Sequence, residues 1–175
     1  MTPLLISLPD FAPYKAISVN TPADRLEPLI RAAQDIDLKK ILGDNFYAAL
    51  IAEHPGYLTY ADLVNGINYV KDGRTVMYAG IKPVLVFFTE ARRLAKGNMQ
   101  DTPFGFNEKQ NPFSTGVSTK QLQMEIEQAR NDANSYARDM VNFLNWKKSQ
   151  GLYPLWDDCR IVKARPRIRI NKIGE

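Results

Sequence analysis

Cysteine and histidine are almost absent from this chain of 175 residues, which has one of each, Cys159 and His54. One cysteine excludes a disulfide framework within the chain and is typical of proteins from a reducing compartment. Zinc sites usually take four ligands from these residue types, so none of the usual kind can form. A Cys–His catalytic pair would require the two side chains to meet. His54 precedes Pro55-Gly56, where we expect a solvated residue at a helix end.

Long apolar runs and familiar catalytic motifs are also missing. No apolar run approaches the roughly 20 residues of a membrane-spanning helix, and MTPLLISLPDF lacks the basic start of a secretory signal. The sequence has no phosphate-binding loop, dinucleotide fingerprint or metalloprotease helix. The acid pairs Asp35/Asp37 and Asp157/Asp158 lie in polar, turn-like surroundings, which favours capping and solvation over catalysis. We therefore expect no enzymatic activity, no cofactor and no metal.

Positive charge is concentrated at the C-terminal end. The whole chain carries a net charge of +4, and residues 160–175 hold six basic residues and one acid, a balance of +5. The remaining residues therefore balance to −1, so the body is nearly neutral. A basic tail indicates an acidic partner, either nucleic acid or an acidic protein face. The residues predicted to face DNA or such a partner are Arg160, Lys163, Arg165, Arg167, Arg169 and Lys172.

Apolar residues at helical spacing predict a mainly α protein, a helical bundle over residues 21–158. Its clearest element is a helix from about Ser118 to Gln150, with Gly151 as its stop, roughly 45–50 Å long. Small or apolar residues recur along it every three or four positions: Leu122, Ile126, Ala129, Ala133, Tyr136, Met140 and Phe143. A helix of this length exceeds what one small core covers, so part of it either projects or packs on another chain.

Shorter helices are predicted before the long one. The first contains Pro28, which is expected to kink or break it. Another is predicted over 60–70, because Thr59 and Asp62 have the spacing of a capping box. Residues 75–96 read as a short helix followed by a well-buried one.

Three segments lack a helical pattern: an extended N-terminal arm over 1–20, an irregular loop over 98–118 and a basic C-terminal arm over 159–175. The N-terminal arm has room for one short strand. The loop combines prolines and glycines with phenylalanines that need a surface to bury, so we expect it to contact a neighbouring subunit or another protein. The alternative is that these rings pin the loop to the core of its own chain. Arg and Ile alternate over 167–170, a strand-like pattern that needs a pairing partner. The residues predicted to contact proteins are Phe104, Phe106, Asn107, Pro112, Phe113, Ile168 and Ile170.

Several segments resemble one known protein family. They are DLKKILGDNFYAALI, YAGIKPVLVFFTEARRL, TPFGFNEKQNPFST, the long alanine-striped helix and YPLW, and together they span about residues 20–158. In order and spacing they resemble the head–tail connector proteins of tailed bacteriophages, also called adaptor or head-completion proteins. Both terminal arms lie outside the resembling residues.

The resemblance implies a virion structural protein rather than an enzyme. Such proteins form rings, usually of twelve subunits, beneath the portal protein at one capsid vertex. They extend the DNA channel and offer a docking face to the tail. For this chain the resemblance implies a homo-oligomeric ring with the portal protein and a tail, further ring or stopper protein as partners. Because the arms lie outside the resembling residues, non-specific contact of the basic tail with packaged DNA is inferred from its charge instead, and the lack of a long apolar run predicts no contact with a membrane.

Two other functions stay open at this point. The basic tail suits a nucleic-acid-binding phage accessory protein, because phosphates attract Lys and Arg strongly. No helix-turn-helix, zinc finger or RNA-binding aromatic signature accompanies it, and the Arg–Ile alternation favours strand addition to a protein edge. A small helical enzyme or regulator is the third hypothesis, which would require a buried titratable cluster.

Overall fold

The computed structural model describes residues 2–16, 22–97, 99–102, 105–108 and 118–157. Most of these residues are helical, so the predicted mainly α class is confirmed. In chain order the elements are a 3-10 turn Leu8–Phe11, α1 Ala23–Ala32, a π-helical segment Ala33–Leu38, α2 Lys39–Leu42, α3 Asp44–Ala52, α4 Ala61–Asn65, β1 Ile67–Lys71, β2 Arg74–Tyr78, α5 Lys82–Gly97, β3 Met99–Thr102, β4 Gly105–Glu108 and α6 Thr119–Ser149.

Helix α6 confirms the long helix predicted over residues 118–150. Its start is a capping box: the Gln121 N–H donates to Ser118 Oγ at 3.2 Å, and the Ser118 N–H donates to Gln121 Oε1 at 3.3 Å. The helix ends just before Gly151, whose φ is 75°. Its buried residues follow the predicted stripe and begin only at Ala129. The first ten residues of α6 therefore contribute nothing fully buried.

Helix α5 packs against α6 and forms the centre of the core. Val84 and Leu85 are completely buried, and the Phe87 ring stacks on the ring of Tyr136, with centroids 5.6 Å apart. Upstream, Pro28 lies inside α1 without ending it. The neighbouring turns bury Leu26 and Ile30 in the same core, so tertiary packing outweighs the backbone hydrogen bond that proline removes.

The helix predicted over 60–70 is confirmed only in its first half, and the short helix predicted from 75 was wrong. Helix α4 ends at Asn65, and β1 and β2 form an antiparallel hairpin in which Tyr69 pairs with Val76. The turn is Asp72-Gly73, with φ of 51° and 73°, the backbone that Asp-Gly hairpin turns adopt. The predicted capping box does not form either, because the Thr59 N–H donates to Glu53 Oε2 at 2.8 Å.

Two glycines close the base of this hairpin. Gly66 has a φ of 85° and Gly80 a φ of 87°. A Cβ on Gly66 would lie 2.4 Å from the carbonyl oxygen of Tyr78, and one on Gly80 would lie 2.6 Å from that of Val64. Only glycine allows both the left-handed backbone and this approach of the two chain segments.

The segments expected to be irregular contain regular structure. Strands β3 and β4 form a second antiparallel hairpin inside the 98–118 segment that was predicted as a loop. Near the N-terminus, Leu5, Ile6 and Phe11 are buried in the core, and the 3-10 turn lies within the predicted extended arm. Residues 2–16 contain no strand. Apolar side chains therefore dock the described part of this arm on the helices.

The LYPLW turn that follows α6 docks on the helical body. Tyr153 and Trp156 are both buried, and each has its ring within 6 Å of the Phe46 ring on α3. The indole N–H of Trp156 donates to Asn145 Oδ1 at 2.7 Å. The chain after α6 is thereby fixed against α3 and the last turns of α6.

Candidate interaction surface

The β1–β2 hairpin is held to α6 by its inward-facing tyrosines. The Tyr78 ring stacks on Phe143 with centroids 4.4 Å apart, and the Tyr69 ring lies 4.6 Å from Trp146. The Tyr78 hydroxyl donates to the carbonyl oxygen of Leu63 at 3.0 Å. Burial raises the pKa of Tyr78 well above its ordinary value, so the phenol stays protonated. These contacts give the hairpin a fixed position on the helix.

The opposite face of the same hairpin exposes apolar side chains. Val70 is 61% exposed and Met77 is 79% exposed. Because Val70 pairs with Thr75 and Met77 with Asn68, the two apolar residues are diagonal neighbours on the outer face. Outward positions of a solvated hairpin usually carry polar residues. We call Val70 and Met77, with Asn68 and Thr75, the hairpin face.

Three exposed leucines flank the buried aromatic residues near the C-terminal end of α6. Leu58 is 92% exposed, and Leu152 and Leu155 are about half exposed. Leu58 lies between two buried tyrosines, and the ring of Tyr60 is 5.2 Å from that of Tyr153. We call Leu58, Leu152 and Leu155 the leucine edge. Firmly packed aromatic rings support it, so these leucines are displayed from a rigid base.

Lys147 forms a mostly buried ion pair beneath the leucine edge. Its side chain is only 11% exposed, and its Nζ donates to Asp62 Oδ2 at 2.6 Å. The same ammonium lies 5.6–5.7 Å from the ring centroids of Phe143, Trp146 and Tyr153. An ion pair surrounded by aromatic faces is stabilised by both the carboxylate and the ring quadrupoles. It joins α4 to the last turn of α6, and its charge is compensated within the fold.

A second group of charges lies on α5. Glu90 is 1% exposed and accepts two hydrogen bonds from Arg93, at 2.6 and 2.8 Å, while the Lys15 ammonium lies 3.9 Å away. The hydrogen bonds to Glu90 raise the pKa of Arg93. Arg92 Nε donates to Asp37 Oδ2 at 2.8 Å. The buried Glu90 carboxylate is therefore paired rather than available as a base.

A buried amide holds the N-terminal residues in place. Gln34 is fully buried, its Oε1 accepts from the Leu5 N–H at 2.8 Å, and its Nε2 donates to the Pro3 carbonyl at 2.9 Å. The Tyr47 hydroxyl accepts from Gln34 at 3.0 Å and donates to Asp35 Oδ1 at 2.6 Å. Burial and the bond to Asp35 raise the pKa of Tyr47. Every polar group of this network has a structural partner.

The acid pair Asp35/Asp37 differs from its prediction. Both residues lie in the π-helical segment rather than in a turn, and each carboxylate accepts a hydrogen bond from a specific side chain, Tyr47 or Arg92. At the other pair, the Asp157 carboxylate lies 3.9 Å from the Lys148 ammonium, and Asp158 is outside the described residues. His54 is exposed, as predicted.

Most residues predicted to make protein or DNA contacts lie outside the described ranges. Those are Phe104, Pro112, Phe113, Ile168, Ile170 and the six basic residues of the tail, Arg160, Lys163, Arg165, Arg167, Arg169 and Lys172. Phe106 and Asn107 belong to β4. Sequence reasoning missed the hairpin face, although the Asp72-Gly73 pair was a signal that could have revealed it.

Within the described ranges, no group of three or more His, Cys, Asp or Glu side chains is placed to hold a metal ion. No helix in those ranges has both the length and the apolar character to cross a membrane. A family model matches residues 38–166, about three quarters of the chain, and its description is a family of unknown function, DUF6712. The chain belongs to the DUF6712 family. No curated protein and no solved structure matches this DUF6712 chain.

Proposed function

We propose that this DUF6712 chain is a virion structural protein, a subunit of a head–tail connector ring in a tailed bacteriophage. In this role it docks on the portal protein, extends the DNA channel and links the capsid to the tail. It acts through protein contacts and carries out no catalysis. The proposal is supported by the ordered segments that resemble connector proteins, and by the exposed apolar surface at one end of α6.

The hairpin face is the observation that carries the proposal. Val70 and Met77 are exposed on a hairpin that aromatic stacking fixes to α6. Rigid, exposed apolar residues are typical of surfaces that another protein covers. Within the described residues β1 and β2 form a two-stranded sheet, so the outer edge of each strand is open to an added strand. The alternating residues 167–170 of a neighbouring subunit have the pattern that such an edge accepts.

A closed ring needs two different complementary surfaces on every subunit, because its contacts are head-to-tail. The hairpin face and the leucine edge supply one surface at the C-terminal end of α6. At the other end Met124 is 60% exposed, and it lies roughly 33 Å along the helix axis from Trp146 at 1.5 Å per residue. The exposed first turns of α6 are thus suited to the second surface.

Native mass spectrometry of the full chain, alone and with the portal protein of the same phage, tests the proposal. We expect the wild-type chain to form a ring or to bind the portal, and the variant Val70→Glu/Met77→Glu to lose this assembly while keeping its helical circular dichroism. The control is Lys40→Glu, an exposed change on α2 that also lowers the net charge by two. A wild-type chain that stays monomeric and does not bind the portal would refute the proposal.

Deletion of residues 160–175 distinguishes the connector proposal from the alternative of a nucleic-acid-binding accessory protein. If the tail adds a strand to a neighbour, its deletion disrupts assembly. If the protein is a nucleic-acid-binding accessory protein, the deletion abolishes salt-sensitive DNA binding and leaves the oligomeric state unchanged.

A further inference from the structure

A basic groove lies on the side of the molecule formed by the π-helical segment, α5 and α6. Its volume is about 360 Å³, near the lower end of the size range of small-ligand sites. Small side chains, Ala91 and Ala95, line it together with the ring of Phe88. The remaining lining residues are Asp37, Arg92, Lys96, Arg130 and Asn134. This groove has no part in the connector proposal, which depends on the hairpin face.

The groove carries more positive charge than its own carboxylate neutralises. Arg92, Lys96 and Arg130 contribute three positive charges and Asp37 one negative charge, a balance of +2. Asp37 accepts from Nε of Arg92, and no hydrogen bond from the terminal nitrogens of Arg92 is found in the described residues. Lys96 and Arg130 are exposed and, unlike the other cations of α5, form no ion pair within the described ranges. Basic side chains from two helices therefore line one groove, and among them only Arg92 is paired with a carboxylate.

The charge of the groove selects among possible anions. A phosphate monoester or inorganic phosphate carries about −1.5 to −2 charges at pH 7 and has three strong acceptor oxygens. A carboxylate or a phosphodiester carries only one negative charge and would leave the groove basic. A guanidinium group often donates two parallel hydrogen bonds to a phosphate, and a lysine ammonium adds a point charge with three donors. The groove volume of about 360 Å³ is large enough for a compact tetrahedral group.

We propose that this groove binds a dianionic phosphate group, with Arg92, Lys96 and Arg130 as its donors. The phosphate is either free inorganic phosphate or the terminal monophosphate of a larger molecule such as a 5′-phosphorylated nucleic-acid end. Arg92 is held by Asp37, so it is the preorganised donor, whereas Lys96 and Arg130 are exposed and add the remaining positive charge.

The test is an NMR titration of the ¹⁵N-labelled full chain at constant ionic strength. The probes are inorganic phosphate, methyl phosphate and dimethyl phosphate. We expect the first two to shift amide signals of α5 and α6 around the groove, and dimethyl phosphate to bind much more weakly. The variant Lys96→Ala/Arg130→Ala should weaken phosphate binding at least about tenfold, the loss expected from removing one charge-assisted hydrogen bond. The matched control Arg138→Ala, an exposed arginine two turns further along α6, should bind as the wild type does.

A second arm distinguishes the two sources of phosphate. Single-stranded oligonucleotides with a 5′-phosphate or a 5′-hydroxyl are added to the wild-type chain in the presence of inorganic phosphate. Displacement by the phosphorylated oligonucleotide alone assigns the site to a nucleic-acid end, and no displacement by either assigns it to free phosphate. Three results would overturn the proposal: no shifts with millimolar phosphate, equal binding of dimethyl phosphate, or unchanged binding by the double variant.

Discussion

The buried ion pair on α5 offers a quantitative test of the packing. In the variant Arg93→Met the side chain keeps an unbranched apolar stem but loses both hydrogen bonds to Glu90, which is 1% exposed. Removing one partner of a fully buried pair costs about 3–5 kcal/mol, because a charge is left buried without compensation. Here Lys15 remains 3.9 Å from the carboxylate and Arg93 is itself 36% exposed. We therefore expect a smaller loss of unfolding free energy, about 2–3 kcal/mol at pH 7.

The assay is equilibrium unfolding in guanidinium chloride, followed by the fluorescence of Trp146 and Trp156. The matched control is Arg92→Met, the adjacent arginine, whose partner Asp37 is 25% exposed. We expect this control to lose no more than about 1 kcal/mol, as partly exposed pairs do. The variant Arg93→Met should also melt about 4–12 °C lower than the wild type, given about 2–4 °C per kcal/mol for a chain of this size.

A double variant tests the cause. Changing Glu90→Met together with Arg93→Met removes both charges and fills the space with apolar atoms. Such replacements are often neutral or stabilising relative to the pair, so the double variant should be more stable than Arg93→Met alone. The reasoning is refuted if Arg93→Met costs less than Arg92→Met, or if the double variant is the least stable of the three.

Three further predictions follow from other parts of the fold. Gly66→Ala should unfold the chain or destabilise it severely, because its Cβ would lie 2.4 Å from a backbone oxygen. Gly73 has open space around it, so Gly73→Ala should cost only about 1–2 kcal/mol for its left-handed backbone. Thermal denaturation of the two variants measures the difference. Ser118→Ala should lower stability by about 1 kcal/mol through loss of the α6 cap, and an equal loss from Ser118→Gly would contradict this assignment. Tyr47, Tyr78 and Tyr153 have pKa values raised above 10.0 by burial, so their contribution to stability should be complete below pH 10 and fall above it by up to about 1.4 kcal/mol per pH unit for each tyrosine. Denaturant titrations between pH 8 and pH 11 would measure that slope, and a stability that rises with pH would exclude it.

The long helix shows where sequence reasoning succeeded. From Ala129 to Phe143 the apolar stripe and the buried face coincide, and Ser118 and Gly151 mark the ends as predicted. These signals are local, since a cap, a periodic face and a glycine stop depend on residues within one or two turns.

The hairpin over 67–78 shows where prediction from the sequence failed. The segment YADLVNGINYV carries apolar residues at spacings that suit either a helix or a strand over so short a range. Two features favour the hairpin over a helix. Gly66 and Gly80 allow the two chain segments at its base to approach closely, and Phe143 on α6 packs against Tyr69 and Tyr78. That last contact joins residues more than sixty positions apart, so no local pattern contains it.

By itself the sequence determined the mainly α class, the length and limits of α6, and the scarcity of cysteine and histidine. These properties are set by composition and by spacings along one element. Only the tertiary structure decided that Val70 and Met77 face outward together, that Glu90 is buried against Arg93, and that Arg92, Lys96 and Arg130 share one groove. Each of these depends on which residues distant in the chain are packed side by side, because burial and charge compensation are properties of neighbours in space.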